Sequence, residues 1–528
     1  MVWMAIKALV LIGLVAYTIV AFTIDFKRAR PLLYIWIFIV GILLIKVVNK
    51  FGSKQTNAAF GAFNSAIEKV VESRVLSIIV ALVTIAIIGV IIGLSIDSAD
   101  RLISLAGIFV LLGLTWLTSW KPRDVKWRPV IGGLLFQFVF GFLILRTNAG
   151  FNLFQFFGDQ VTVLLDYAKA GSGFVFGWTN SWQGFTQTYD SEELTAPFKV
   201  LEIGPVFAAN VLPTVIFFSA LVSVLYYFGI LQVIIRVIGR ALAYLLGTSA
   251  SESLNAAGNI FVGQTEAPLL IRPFLADMTE SEIHATMTGG FATIAGGVLA
   301  FYISFGISAS HLLAASVMSA PAALAVSKLA YPETEISKTR AGVEYEIEVP
   351  DQINFIEAAA SGATTAIELA LNIGGQLIAF IALIAMLNAW LGYFGTFIDV
   401  PDLSFEKICG WVFFPFAFLM GVDIDDCESI ASVLGTKIFV NEFVAYDILS
   451  DLIKAQAISK RSEIIATYAL CGFANFGSIG IQIGGLTPLA PHRSKSIAKL
   501  VFSAMIAGNT ACFLTACIAG LLYDIDRA

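Results

Sequence analysis

Two groups of polar side chains stand in stretches of this sequence that are otherwise apolar, and they are the residues most able to do chemistry. The first is Asn259, Gln264, Thr265 and Glu266, followed by Pro268. The second is Asn441 and Glu442, joined further along by Phe473, Asn475 and Ser478. Carboxylates accept hydroxyl hydrogen bonds with charge assistance. Amides read donors and acceptors at once, and an aromatic ring adds a flat apolar face. Such a set suits a polar ligand with one flat apolar side. It does not suit bond breaking. The three histidines are scattered, and neither a GxSxG, a Walker A pattern nor a nucleophile–base pair occurs. The chain is expected to bind and not to catalyse.

The composition says what surrounds these groups. Of 528 residues, 58% are hydrophobic and 13% charged, with a mean hydropathy of +0.85, whereas about a quarter of a soluble domain is charged. This chain cannot cover its apolar surface with polar side chains, so it takes the lipid bilayer as solvent and reads as a polytopic membrane protein. A net charge of −6 offers no basic face, and no nucleic-acid partner is expected. Cys409, Cys427, Cys471, Cys512 and Cys517 lack metal-type spacing and read as small buried hydrophobes.

In lipid an ionised glutamate costs from about 2.5 to over 10 kcal/mol, so it must be paired or solvated. The run 255–275 is therefore read as a re-entrant hairpin of two half-helices with its polar tip in a cavity. The alternative is an external loop over 251–277. Phe473 and its neighbours would face a common cavity if their helix breaks at Gly472 and Gly477; the alternative for Phe473 is lipid or core packing.

Runs of roughly 20 apolar residues cross a bilayer as helices. The first five fall near 5–23, 32–48, 75–96, 102–120 and 128–146. Lys46, Lys50, Lys54, Lys69 and Arg74 load the second connection, and Lys121, Arg123, Lys126 and Arg128 the fourth. The positive-inside rule assigns both to the cytoplasm, and the N-terminus with them. An amphipathic piece is expected over 161–178, a polar insert over 180–196 and a last clean span at 499–522. From about 205 onward Gly, Asn, Gln, Glu and Pro interrupt the apolar segments, which lipid tolerates only where backbone is buried in protein or lines a cavity.

That interrupted half contains a repeat. Ile260-Phe261-Val262-Gly263-Gln264 matches Ile438-Phe439-Val440-Asn441-Glu442, an offset of 178 (438 against 260). Gly290-Phe291-Ala292-Thr293-Ile294-Ala295 matches Gly472-Phe473-Ala474-Asn475-Phe476-Gly477, an offset of 182 (472 against 290). Paired interrupted segments in two halves point to a transporter's binding site at the repeat interface. A channel for polar solutes would instead need a ring of charges or repeated filter carbonyls.

Longer motifs carry a resemblance. GNIFVGQTEAPLLIRPFL (Gly258–Leu275), ISFGISASHLLAASVMSAPA (Ile303–Ala322), NEFVAY (Asn441–Tyr446), RSEIIATYALCGFANFGSIG (Arg461–Gly480) and ACFLTACIAGLL (Ala511–Leu522) resemble the hallmark stretches of the concentrative nucleoside transporter family. The resemblance covers almost the whole chain and matches animal members. It implies an all-α polytopic fold, an inverted-repeat transporter with two re-entrant hairpins, broken helices and about 11 transmembrane helices. It further implies a plasma-membrane homotrimer with elevator-type alternating access, and a symporter driving nucleosides such as uridine and adenosine inward with sodium. The organisation expected is N-terminal spans over 1–127, scaffold spans and the polar insert over 128–250, a first transport repeat over 251–330, a connector and scaffold span over 331–426, and a second transport repeat over 427–528.

By motif match, Gln264, Thr265 and Glu266 would contact the nucleobase. Glu442, Asn475 and Ser478 would hold the ribose hydroxyls, with Phe473 packing on the ligand. The sodium ligands implied are the side chains of Asn259 and Thr293 and the carbonyls of Val262 and Ile294, all oxygens as a hard cation requires. No organic cofactor is implied. Glu266 and Cys471 match positions linked to proton coupling in some members, which keeps a proton-coupled symporter as the alternative. Gly263 with Gln264 resembles members accepting both purines and pyrimidines, whereas Gly297 stands where those members usually carry Ser or Thr.

Overall fold

The computed structural model describes residues 99–176, 212–338, 352–400 and 402–523, together with Trp36 and a short helical stretch within 13–24. Two compact units divide the chain at Ser77/Ile78. In the first, the Trp36 indole donates to the Thr18 hydroxyl at 2.9 Å. The second carries everything that follows. Of the first three expected spans only part of 5–23 and Trp36 of 32–48 are described; the rest of them, the N-terminal orientation and the 180–196 insert lie outside the described residues.

Helices account for all regular structure among the described residues. Ala99–Leu117 (α1) and Trp127–Arg146 (α2) fall where the fourth and fifth apolar runs placed spans. The amphipathic region is two helices, Asn148–Asp166 (α3) and Ala168–Phe176 (α4), starting earlier than the expected 161. Leu212–Tyr227 (α5) and Ile230–Leu246 (α6) meet at 78°. The corner is made by Gly229, whose φ of +75° only a residue without Cβ adopts cheaply.

Two copies of one motif follow, each a hairpin, a broken helix and a long helix. In the first copy the hairpin is Ala250–Gly258 (α7), a tip over 259–266 and a 3-10 helix, Ala267–Phe274. The broken helix is Glu280–Ala292 (α8) and Gly296–Ser304 (α9), and the long helix Ala309–Ala330 (α10). Phe355–Gly395 (α11) and Phe405–Met420 (α12) intervene. In the second copy the hairpin is Cys427–Phe439 (α13) and Glu442–Lys454 (α14). The broken helix is Lys460–Leu470 (α15) and Phe476–Leu486 (α16), and the long helix Ser494–Leu522 (α17).

Local chemistry sets these boundaries. Ser249 with Glu252, and Thr279 with Glu282, close capping boxes that start α7 and α8. Pro268 and Pro273 withhold amide protons, and the expected second half-helix of the first hairpin is wound as 3-10. In the second copy the helix breaks over 471–475. Asn475 caps α16 by accepting from the Ser478 N–H at 2.8 Å, so Gly477 is already helical and is not a break point.

The long helices α10 and α17 pack on each other at the centre, with α8 against both, α2 on α10 and α1 on α17. Small residues let them approach, and polar pairs join them to the surroundings. Gln137 on α2 donates to the Thr515 hydroxyl on α17 at 2.8 Å. Lys328, in the last turn of α10, pairs with Glu252 at 2.8 Å and with Glu333 at 3.3 Å. All five cysteines are free and buried. Four described helices are long and apolar enough to span a bilayer, five if the bent α5–α6 pair is one span. The expected total of about 11 includes spans outside the described residues.

Candidate functional site

The two hairpin tips and the second helix break meet around one cavity. Gly263, Gln264, Thr265 and Glu266 line it from the first tip, Asn441, Glu442 and Phe443 from the second. Phe473, Asn475, Ser478 and Ile481 line it from the break and the start of α16, Ala295 and Val298 from the first break and α9. Every residue expected to touch the ligand is thus on one wall or another of the same cavity.

Helix ends explain why a carboxylate is tolerated there. Asn441 caps α14, its side chain accepting from the Val444 N–H at 3.0 Å, and Glu442 is the first residue of that helix. Asn475 caps α16. Two helix N-termini, each a partial positive charge, therefore open toward the cavity. Glu442 is 1% exposed, and its Oε2 accepts from Asn475 Nδ2 at 2.6 Å. The second carboxylate differs: Glu266 Oε2 and Gln264 Oε1 are buried and, among the described residues, have no hydrogen-bond partner. Such atoms are expensive unless a ligand or water satisfies them.

Behind the first tip the helix ends have the opposite sign. The C-termini of α7 and α8 converge where Asn259 caps α7 and Thr293 follows α8. Asn259 is fully buried, and neither polar atom of its side chain has a partner among the described residues. Thr293 Oγ1 donates to the Gly289 carbonyl at 2.7 Å, which leaves its lone pairs available. Asn259 and Thr293 meet at Gly289: a Cβ there would lie 2.9 Å from Asn259 Nδ2. The Gly296 N–H donates to the Phe261 carbonyl at 3.3 Å, which sets Val262 on the tip beside the Ile294 break. Neutral oxygens at two partially negative helix ends make a fitting environment for a small monovalent cation.

Cys471 is fully buried in the second break but is not on the cavity wall; its carbonyl accepts from the Cys512 thiol at 3.2 Å. Gly297 lies within α9. The sequence reading missed the apolar wall of Ala295, Val298, Phe443 and Ile481, which no polar signal marks. A second cavity of about 300 Å³ lies between α5, α11 and the first hairpin, and shares Gly263, Glu266 and Ala295 with the first.

Family models described as Na+ dependent nucleoside transporter C-terminus and N-terminus match residues 311–520 and 106–179, and one described as nucleoside recognition matches 208–309. Solute carrier family 28 member 3 of Mus musculus is 45% identical over 98% of this chain and 72% of its own length. The chain belongs to the sodium-dependent nucleoside transporter family. Sodium/nucleoside cotransporter 1 of Mus musculus is likewise 45% identical, over 98% of this chain and 78% of its own. The solved structure of CNTnw in an inward-facing substrate-bound state is 40% identical, covers 80% of this chain and 98% of that one, and superposes with a TM-score of 0.73. Membership makes this chain a membrane transporter of the sodium-coupled nucleoside class and not an enzyme.

Proposed function

We propose that this chain is a plasma-membrane symporter, N-terminus in the cytoplasm, which moves both purine and pyrimidine nucleosides such as adenosine and uridine into the cell with sodium. The observation that carries the reading is the single cavity in which amide, carboxylate, hydroxyl and aromatic groups from both repeats converge. A nucleoside offers a match on each side. Its ribose hydroxyls donate to Glu442, with Asn475 and Ser478 beside it; its base presents donors and acceptors to Gln264, Thr265 and Glu266; Phe473 covers a flat face.

Asn259, Thr293 and the carbonyls of Val262 and Ile294 are the proposed sodium ligands. Binding there pins the first tip to the first break, so the ion preorganises the base side of the cavity before the nucleoside enters. The segments 251–330 and 427–528 would move as one transport body against the scaffold of 128–250 and 331–426, in a homotrimer. The second cavity, between α5, α11 and the first tip, offers the path by which the site is reached.

The buried, unpartnered Oε2 of Glu266 supports a second reading in which a proton accompanies or replaces sodium. Uridine uptake into vesicles separates the two. Concentration of uridine under an inward sodium gradient at equal pH supports the sodium symporter. Concentration under a proton gradient alone supports the alternative, and uptake that never exceeds equilibrium under either gradient refutes both.

A further inference from the structure

Lys437 is a cation buried in the core of the second repeat, with a fully inaccessible side chain and, among the described residues, no carboxylate within ion-pair distance. Its Nζ donates to the Ala469 carbonyl in the last turn of α15 at 2.9 Å and lies 6.0 Å from the centre of the Phe513 ring. An unpaired ammonium at such depth is costly and demands a reason.

The repeat supplies one. At the offset of 178 that aligns the two tips, Lys437 stands where the first copy has Asn259. The backbone agrees, because the Val262 N–H donates to the Gly258 carbonyl at 3.0 Å and the Val440 N–H to the Thr436 carbonyl at 2.9 Å, the same bond in both copies. What the two side chains face also corresponds. The broken helices start at caps Thr279 and Ser459, and counting equally from each cap brings Gly289 level with Ala469. Asn259 lies against Gly289; Lys437 bonds Ala469. In both copies a hairpin helix and the first half of a broken helix point their negative ends at one spot. In the first copy, that spot holds the neutral side chain of Asn259, unpartnered among the described residues; in the second, it holds an ammonium.

We infer that Lys437 is a tethered cation occupying, in the second repeat, the place that sodium takes in the first. The inference rests on the sodium assignment at Asn259 and Thr293 proposed above. It makes the ribose half of the site permanently loaded: the ammonium neutralises the ends of α13 and α15, on the same hairpin that carries Glu442. Only the base half then waits for an ion. Lys437 is a positioning residue, acting on the nucleoside through Glu442 and the second tip.

The experiment is uridine binding to purified, folded protein, titrated against sodium with choline as the replacing cation, for the parent, Asn259→Ala, Lys437→Met, Lys437→Arg and Lys437→Asn. Lys437→Met is expected to weaken uridine by about tenfold or more at saturating sodium, as loss of a charged partner does. Lys437→Arg keeps the charge and should recover most of that loss. Lys437→Asn recreates the side chain of the first copy, and should add a second sodium-dependent phase above the concentration that saturates the parent. Parental affinity in Lys437→Met, or equal impairment of the Met and Arg variants, overturns the inference. Should Lys437→Met fail to fold, Lys437→Asn decides alone: an added sodium phase supports the tethered cation, and an unchanged sodium curve refutes it. The underlying assignment fails separately, through an Asn259→Ala protein whose sodium curve matches the parent.

Discussion

The backbone N–H of Phe473 donates to the carbonyl of Thr293 at 3.3 Å, so the two interrupted helices are tied to each other at their breaks. Glycine makes the approach possible: a Cβ on Gly472 would stand 2.7 Å from the Phe291 carbonyl oxygen and 2.6 Å from the Cys512 sulfur. One break carries a proposed sodium ligand and the other the ring that would cover the nucleoside. Displacement of either is felt directly by its counterpart, which gives ion and substrate a short physical path for coupling.

That tie leads to the first prediction. Thr293→Val keeps the shape of the side chain and removes one oxygen from the proposed cation site. Half-saturating sodium for uridine uptake should rise several-fold, while uridine affinity at saturating sodium stays near that of the parent. Linkage requires the converse too, that uridine tightens sodium binding. A sodium curve unaltered by the substitution would remove Thr293 from the ligand set.

Glu442→Gln should nearly abolish uridine transport without loss of folded protein at the membrane. The carboxylate sits at the start of α14 and already accepts from Asn475 Nδ2. Replacing a charged acceptor in a buried hydrogen bond costs about 1.5–3 kcal/mol, or roughly 10–150-fold in affinity. Uracil, which lacks the ribose, should compete far more weakly than uridine in the parent protein. Normal uptake by well-expressed Glu442→Gln would remove this residue from the ribose site.

Gly263→Ser is expected to lower the ratio of adenosine to uridine uptake. A Cβ at Gly263 would overlap Glu266 Oε2 and come within 3.2 Å of the Ala295 Cβ, so the carboxylate must swing away and the tip side of the cavity is refilled. A two-ring base meets that change before a one-ring base does. If both rates fall in step, selectivity is set elsewhere, and Gly297→Ser is the next variant to measure.

Stability has its own weak point at the pairing of Lys328 with Glu252, where both side chains are almost wholly buried. Lys328→Met strands a carboxylate that also accepts from the Ser249 N–H. Breaking a buried pair from one side costs about 3–5 kcal/mol, to be read as a clear fall in melting temperature. Adding Glu252→Gln should recover part of it; a double variant as unstable as the sum of the two single changes would show that the pair is not coupled.

Much of this arrangement was legible in the sequence because lipid makes polar residues conspicuous. Asn259, Gln264, Glu266, Glu442 and Asn475 stand out in apolar surroundings, and the repeat told which of them belong together. The register of the second break was misread, since glycine was weighted above the Asn475 cap that restarts the helix. Val298, Phe443 and Ile481 look like any other apolar residue until the cavity is seen. Lys437 escaped notice for a different reason. A lysine near the end of an apolar helix reads as an ordinary membrane-boundary cation, and its burial is a property of the packed repeat alone.

Helix α11 runs for 41 residues, about 60 Å at the rise of an α-helix, whereas the hydrocarbon layer is about 30 Å and the whole bilayer about 40–45 Å thick. A candidate span over Ile378–Ile398 takes in its last part and the 3-10 turn beyond it, and 6% of that apolar window is buried among the described residues. Such a rod adapts to its bilayer by changing its inclination. Because α5 packs along it and both line the second cavity, a change in that slant would be passed to the cavity wall.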